Sequence, residues 1–189
     1  MKRYIALFFV ILLSFSCKTK ETLDRDLSWF ITDEIQIELL PPALSGEVRS
    51  IQQYVQGRYG KEEYSMMAVV ILEEESIFIQ GLTPLGSSLF EISYGADRVD
   101  FKGNSLFPKD TALYVLADYQ LCYYPAEVLE KHLSPHDLHF EETFDGADWK
   151  RTISLEGETL ITIERKGSQI IFHNLLRDYS YNIEEADFS

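Results

Sequence analysis

The sequence predicts an α+β domain in which an antiparallel sheet is interrupted by two central helices. Three observations carry this reading. Apolar residues alternate in short runs from 48 to 102 and again from 138 to 183. The turns between those runs are too short for helical crossovers, which favours a meander over βαβ units. Between 110 and 133 the apolar period changes from two to that of a helix.

At the start, Lys2 and Arg3 precede an apolar run over 4–13, and Ser14, Phe15, Ser16 and Cys17 follow. That is the layout of a secretory signal, with an apolar run too short for a membrane span. A cysteine at the cut site predicts lipoprotein processing, with 1–16 removed as signal peptide and the Cys17 thiol acylated, palmitate included. The usual Leu three places before the cysteine is here Ser14, with Leu13 one place further out. An ordinary signal peptide with an incidental cysteine is the alternative. Lys18 stands where an Asp would favour inner-membrane retention, so the outer membrane, facing the periplasm, is the expected location.

Charge limits the partners. The chain has a formal net charge of −14, and the signal peptide would remove two positive charges and no acids. So acidic a domain repels phosphate backbones, and no nucleic-acid partner is expected. It also repels anionic headgroups, so attachment to a membrane falls to the lipid anchor. With Cys17 lipidated, only Cys122 remains, which excludes an intramolecular disulfide and suggests a buried, inert thiol.

Residues 17–38 read as a lipidated tether and an N-terminal element, and 39–189 as a single domain. Leu27, Phe30, Ile31 and Ile35 fall at helical spacing, while Ile35, Ile37 and Leu39 alternate as in a strand. Both readings stand, and Pro41-Pro42 ends the element in either case. Strands follow over 51–59, 64–72 and 76–81, with Glu73, Glu74 and Glu75 in a turn, and a hairpin joins 89–94 to 98–102. Asp110 is positioned to cap a helix that clusters Ala112, Leu113, Val115, Leu116, Tyr119 and Cys122 on one side. Pro125 suits the first turn of a second helix, with Val128, Leu129 and Leu133 on one face and Glu127, Glu130 and Lys131 on the other. Ser134-Pro135 stops it. Strands over 138–144, 149–155, 159–166, 169–174 and 179–183 complete the chain.

Few residues suggest catalysis. His132, His136 and His139 lie near Asp137, Glu141 and Glu142, but Pro135 should break the helix that His132 and His136 would need to share. They read as polar loop histidines, and neither a metal nor a cofactor is expected. The chain contains no Gly-x-Ser-x-Gly elbow, phosphate-cradling glycine loop or HExxH. An enzyme is therefore not expected. Twelve Phe and eleven Tyr are the more informative feature. Both helices read as amphipathic with acidic outer faces. A curved sheet roofed by helices could enclose an apolar cavity for acyl chains, or the same residues could pack solid; composition leaves both open.

The segment 81–86 (Gly-Leu-Thr-Pro-Leu-Gly), followed by Leu89-Phe90-Glu91-Ile92, resembles a strand–turn–strand of the outer-membrane lipoprotein receptor LolB. From about Leu39 to the C-terminus the chain resembles a family of uncharacterised bacterial lipoproteins, with a domain of unknown function, related to LolB and the carrier LolA. Leu40-Pro41-Pro42, Gly57-Arg58-Tyr59, 116–121 and Tyr124-Pro125-Ala126-Glu127 support it. The resemblance implies an incomplete antiparallel barrel whose concave face is covered by helices, and a lipid or acylated protein as ligand. In LolB a turn leucine faces the membrane, and Leu85 holds that place here; a leucine folded back onto the core is the alternative. Leu116, Tyr119, Val128 and Leu129 are the cavity-lining candidates. The expected function is a non-enzymatic, monomeric outer-membrane lipoprotein that binds or transfers a lipid or acylated cargo. The alternative is a structural or assembly lipoprotein whose barrel is filled by its own side chains.

Overall fold

The computed structural model describes residues 19–23, 27–95, 97–103 and 110–186. The segment 1–16 read as a signal peptide, and Cys17, lie outside these residues. The N-terminal part forms strands β1 (Thr19–Leu23), β2 (Ser28–Phe30) and β3 (Gln36–Glu38), then a 3-10 turn at Pro42–Ser45. Five long strands follow: β4 (Arg49–Tyr59), β5 (Glu62–Leu72), β6 (Ser76–Leu82), β7 (Ser88–Gly95) and β8 (Arg98–Gly103). Helices α1 (Thr111–Tyr123) and α2 (Ala126–Leu133) come next, then β9 (Leu138–Asp145), β10 (Asp148–Leu155), β11 (Glu158–Lys166), β12 (Gln169–Asn174) and β13 (Tyr179–Ala186).

Eleven strands join in one antiparallel sheet of order β1-β8-β7-β6-β5-β4-β13-β12-β11-β10-β9. It is two meanders fused where the last strand, β13, pairs with β4. The sheet is not closed into a barrel: β1 and β9 are its two edges. An α+β chain dominated by antiparallel sheet, with two helices, matches the sequence reading; the sheet itself is open.

Alternation decides which face is buried. Ile51 pairs Val70, Val70 pairs Ile79, Ile79 pairs Ile92 and Ile92 pairs Phe101, an unbroken apolar row across five strands. All five side chains are buried. On the other meander, Ile153, Ile161, Ile163, Ile170 and Phe172 face the same core.

The structure adds a strand to the tether and settles the open N-terminal segment. The stretch read as tether contains β1, which pairs with β8 in register Glu21↔Phe101. A short, polar edge strand carries little of the apolar alternation by which strands are recognised. The ambiguous 27–39 segment is a hairpin of β2 and β3, with Trp29 opposite Ile37. Its turn is fixed by Thr32, whose Oγ1 accepts from the Ile35 amide at 2.9 Å. Trp29 packs edge-on against Tyr114 of α1, with ring centroids 6.2 Å apart.

Helix α1 also departs from the amphipathic reading. Nine of its residues are buried, among them Asp118 and Gln120. An all-round buried helix packs on several sides, and here its polar groups are the ties. Gln120 bonds both ways to the Leu40 backbone: its Oε1 accepts from the Leu40 amide at 2.9 Å and its Nε2 donates to the Leu40 carbonyl at 2.7 Å. Near its C-terminal end, Arg151 donates to the Leu121 carbonyl at 2.7 Å and to Glu142 at 2.6 Å. Asp110 precedes the helix but its side chain makes no capping bond. Its own φ and ψ of −67° and −15° are already helical, whereas a capping side chain needs an extended backbone. Pro125 sits one place before α2, whose buried residues are Leu129 and Leu133. No helix among the described residues is long and apolar enough to cross a membrane.

Candidate binding site

Between α1 and the inner face of β4–β7 and β13 lies a cavity of about 520 Å³. Thr111, Val115, Asp118, Tyr119, Cys122 and Tyr123 form its roof, at the three- and four-residue spacing of one helix face. Val55, Met66, Ala68, Val70, Ile79 and Ile183 form the floor. The small Ala68 leaves space where Ile or Leu would close it. Gly57 makes room for a wall residue: Tyr64 lies across it so closely that an added Cβ would stand 2.1 Å from the ring. A groove of about 580 Å³ on the outer face, bounded by Arg58, Glu63, His173 and Asn182, is polar and open, the wrong lining for an apolar ligand.

The roof carries one carboxyl. Asp118 is 5 % exposed. The Tyr179 hydroxyl donates to its two oxygens at 2.9 and 3.0 Å. Tyr181 also bonds to it, and Tyr181 in turn bonds to Tyr64. Burial pushes the Asp118 pKa up to about 7, because the low-dielectric surroundings penalise the charged form more than the two phenols compensate. Burial likewise raises Tyr64 to about 12 and lifts Tyr179 and Tyr181 above the usual phenol range. The phenols therefore remain donors at neutral pH. The Cys122 thiol is raised by the same burial, which keeps it protonated and a poor nucleophile.

Toward the C-terminal end of α1 the roof meets a second polar group. Tyr123 donates to Glu185 at 2.7 Å and accepts from Gln53 at 2.6 Å. Glu185, with a side chain 5 % exposed, is held by Arg165 at 2.8 Å and by Arg49 at 3.4 Å. Beside it, Tyr119 stacks on Tyr123 at 4.6 Å. The Tyr119 hydroxyl is buried with no hydrogen-bond partner among the described residues.

The sequence candidates are placed as follows. Tyr119 is in the cavity wall. Leu116 is fully buried, Leu129 is buried and Val128 is partly buried; none of the three lines the cavity. The helix face that does so is the one through Val115, Asp118 and Cys122, and α2 packs instead against β9. Leu85 is 95 % exposed at the tip of the β6–β7 turn. The Gly86 amide donates to the Thr83 carbonyl at 2.8 Å, and Gly86 takes a φ of 83°, which a side chain would strain. Thr83, in the same turn, lines the cavity. His132 and His136 do not share a helix: α2 ends at Leu133 and a 3-10 turn carries Ser134–His136. His132 Nε2 lies 2.7 Å from the Glu38 carbonyl, and His139 is exposed on β9. No group of metal-ligating side chains occurs among the described residues.

Sequence reasoning missed Asp118. The signal was available: an acid and Gln120 are the only strongly polar side chains within the run 112–122. No curated protein matches the chain. A family model described as "Protein of unknown function (DUF3261)" matches residues 50–187, from β4 through β13 and so the whole cavity, and the chain belongs to that family.

Proposed function

We propose that this protein is a non-enzymatic lipoprotein of the outer membrane that binds or transfers a lipid or acylated cargo in the cell envelope. The cavity under α1 is the observation that supports it most. A dry cavity of ~150 Å³ holds one benzene ring, so 520 Å³ corresponds to roughly 20 carbon atoms at the same packing, the size of a long acyl chain. The lining is dominated by aliphatic and aromatic side chains, as in small-molecule sites of this volume. Such a void is costly when empty, which favours an occupant over a solid structural core.

Two further features fit. Leu85 stands out from the turn that also supplies Thr83 to the cavity wall, so cargo passing between a membrane and the cavity would meet it first. Helices against one face of an antiparallel sheet are also what the resemblance to LolB and LolA implies. Cys17 is assigned the anchor, and Cys17→Ser should abolish fatty-acid labelling of the protein.

The direct test is mass spectrometry of lipids retained by the purified protein, with saturable binding of a neutral apolar fluorescent probe measured in parallel. About one apolar molecule per chain is the expected result. Folded protein that retains no lipid and binds no probe saturably would overturn the proposal.

A further inference from the structure

Among the described residues, the wall of the cavity carries an acid and no base. Of the described residues that line it, Asp118 is the only side chain of formal charge, with no Lys, Arg or His. The nearest arginines are engaged elsewhere, Arg49 and Arg165 on Glu185 and Arg151 on Glu142. A ligand that brought a carboxylate or phosphate inside would have to desolvate it opposite a buried acid with no cation to receive it. A ligand that brought a donor would meet the reverse situation. An ionised carboxylate accepts on about four lone-pair sites, and Tyr179 and Tyr181 leave part of that capacity free. Further along the roof, toward Arg49 and Glu185, the Tyr119 hydroxyl is buried with no hydrogen-bond partner among the described residues. An orphan of this kind in a cavity wall marks a place where a ligand atom completes the bonding.

We infer that the cavity selects amphiphiles whose buried polar group donates a hydrogen bond to Asp118, a hydroxyl, amide or ammonium, and discriminates against a buried carboxylate or phosphate. This rests on the lipid-binding reading above and narrows it to a ligand class. The apolar body lies along Val55, Ala68, Val70 and Ile79, and the donor sits under α1. Tyr179 and Tyr181 hold the carboxyl in place from β13, and Tyr64 holds Tyr181.

The experiment is a displacement series on the purified protein. Hexadecanol, hexadecylamine and hexadecanoate compete against a neutral apolar fluorescent probe. The buffer is held at about pH 8, where Asp118 is ionised, with about 0.3 M salt to screen the overall negative charge. The alcohol and the amine should displace the probe at concentrations at least about tenfold lower than hexadecanoate. Asp118→Asn should bring the three within about threefold of one another. Hexadecanoate competing as well as hexadecanol on the wild-type protein would overturn the inference, without need of any variant. So would a ranking that Asp118→Asn leaves unchanged. Failure of the probe itself to bind would remove the lipid-binding reading and this inference together, whereas equal competition by the three heads would remove the inference alone.

Discussion

The hydroxyl of Tyr179 stands nearly equidistant from the two carboxylate oxygens of Asp118, at 2.9 and 3.0 Å. One strand at the centre of the sheet is thereby joined to the only formal charge that the described residues bring to the cavity wall. A carboxyl held this way, with its pKa raised to about 7, makes stability depend on pH in a defined sense. The folded state keeps the proton at pH values where the unfolded chain has lost it. This contribution is therefore fully present below the unfolded value of about 4 and is lost as pH rises through about 7.

Asp118→Asn keeps the shape but cannot ionise. Its stability relative to the wild type should rise by roughly 1.4 kcal/mol per pH unit between about pH 5 and pH 7, then level off. Taking the difference cancels the other carboxylates. Denaturant titrations at several pH values check it, and a flat difference would mean that Asp118 titrates normally.

Leu85 calls for a surface experiment. With 95 % of its area exposed, Leu85→Glu should alter stability by less than about 0.5 kcal/mol. Association with liposomes, or transfer of a bound probe to them, should fall sharply. Thermal unfolding beside a flotation assay reads both; a large loss of stability would place the side chain against the core.

The cavity predicts an unusual tolerance. Val115→Phe adds volume where the roof has room, so unfolding should change by less than about 1 kcal/mol, against the ~1–3 kcal/mol usual for overpacking. Probe affinity should drop about tenfold or more because the space is taken. The same exchange at Leu116, fully buried in the packed core, should destabilise without that selectivity. Isothermal calorimetry and denaturant unfolding on the two variants separate the cases.

Gln120→Ala should be costly for its size. It leaves both the Leu40 amide and the Leu40 carbonyl without their side-chain partner, at ~1–3 kcal/mol for each group. Urea unfolding gives the number. Gln120→Glu should recover only the bond from the Leu40 amide.

What the sequence made legible follows from how strongly each element depends on its own pattern. Strands β4 to β8 and β9 to β13 were readable because one face of each is buried, and burial imposes a period of two. Edge strand β1 has polar composition and no such imprint. Asp110 illustrates a different limit: capping depends on the backbone angles of one residue, which its identity does not specify. Asp118 was hidden by a convention, that acids on helices face water. Leu116, Val128 and Leu129 were recognisable as apolar, but which apolar face meets a void and which meets another element depends on how α1 is rotated over the sheet. That rotation is set by Gln120 on Leu40 and Arg151 on Leu121, contacts between distant parts of the chain.

The pairing of β13 with β4 has a consequence for the order of assembly. Each meander zips up from neighbouring hairpins, with short loops and fast closure. The seam between them joins segments from opposite ends of the domain and waits for the last strand to be made. Until then β4 presents an unpaired edge, the kind of surface on which strands from other chains add. Tyr181 and Ile183 of that late strand are also cavity walls, and Tyr179 is the partner of Asp118. The cavity is therefore absent from any chain that has not finished folding, and a molecule captured there would report a completed protein.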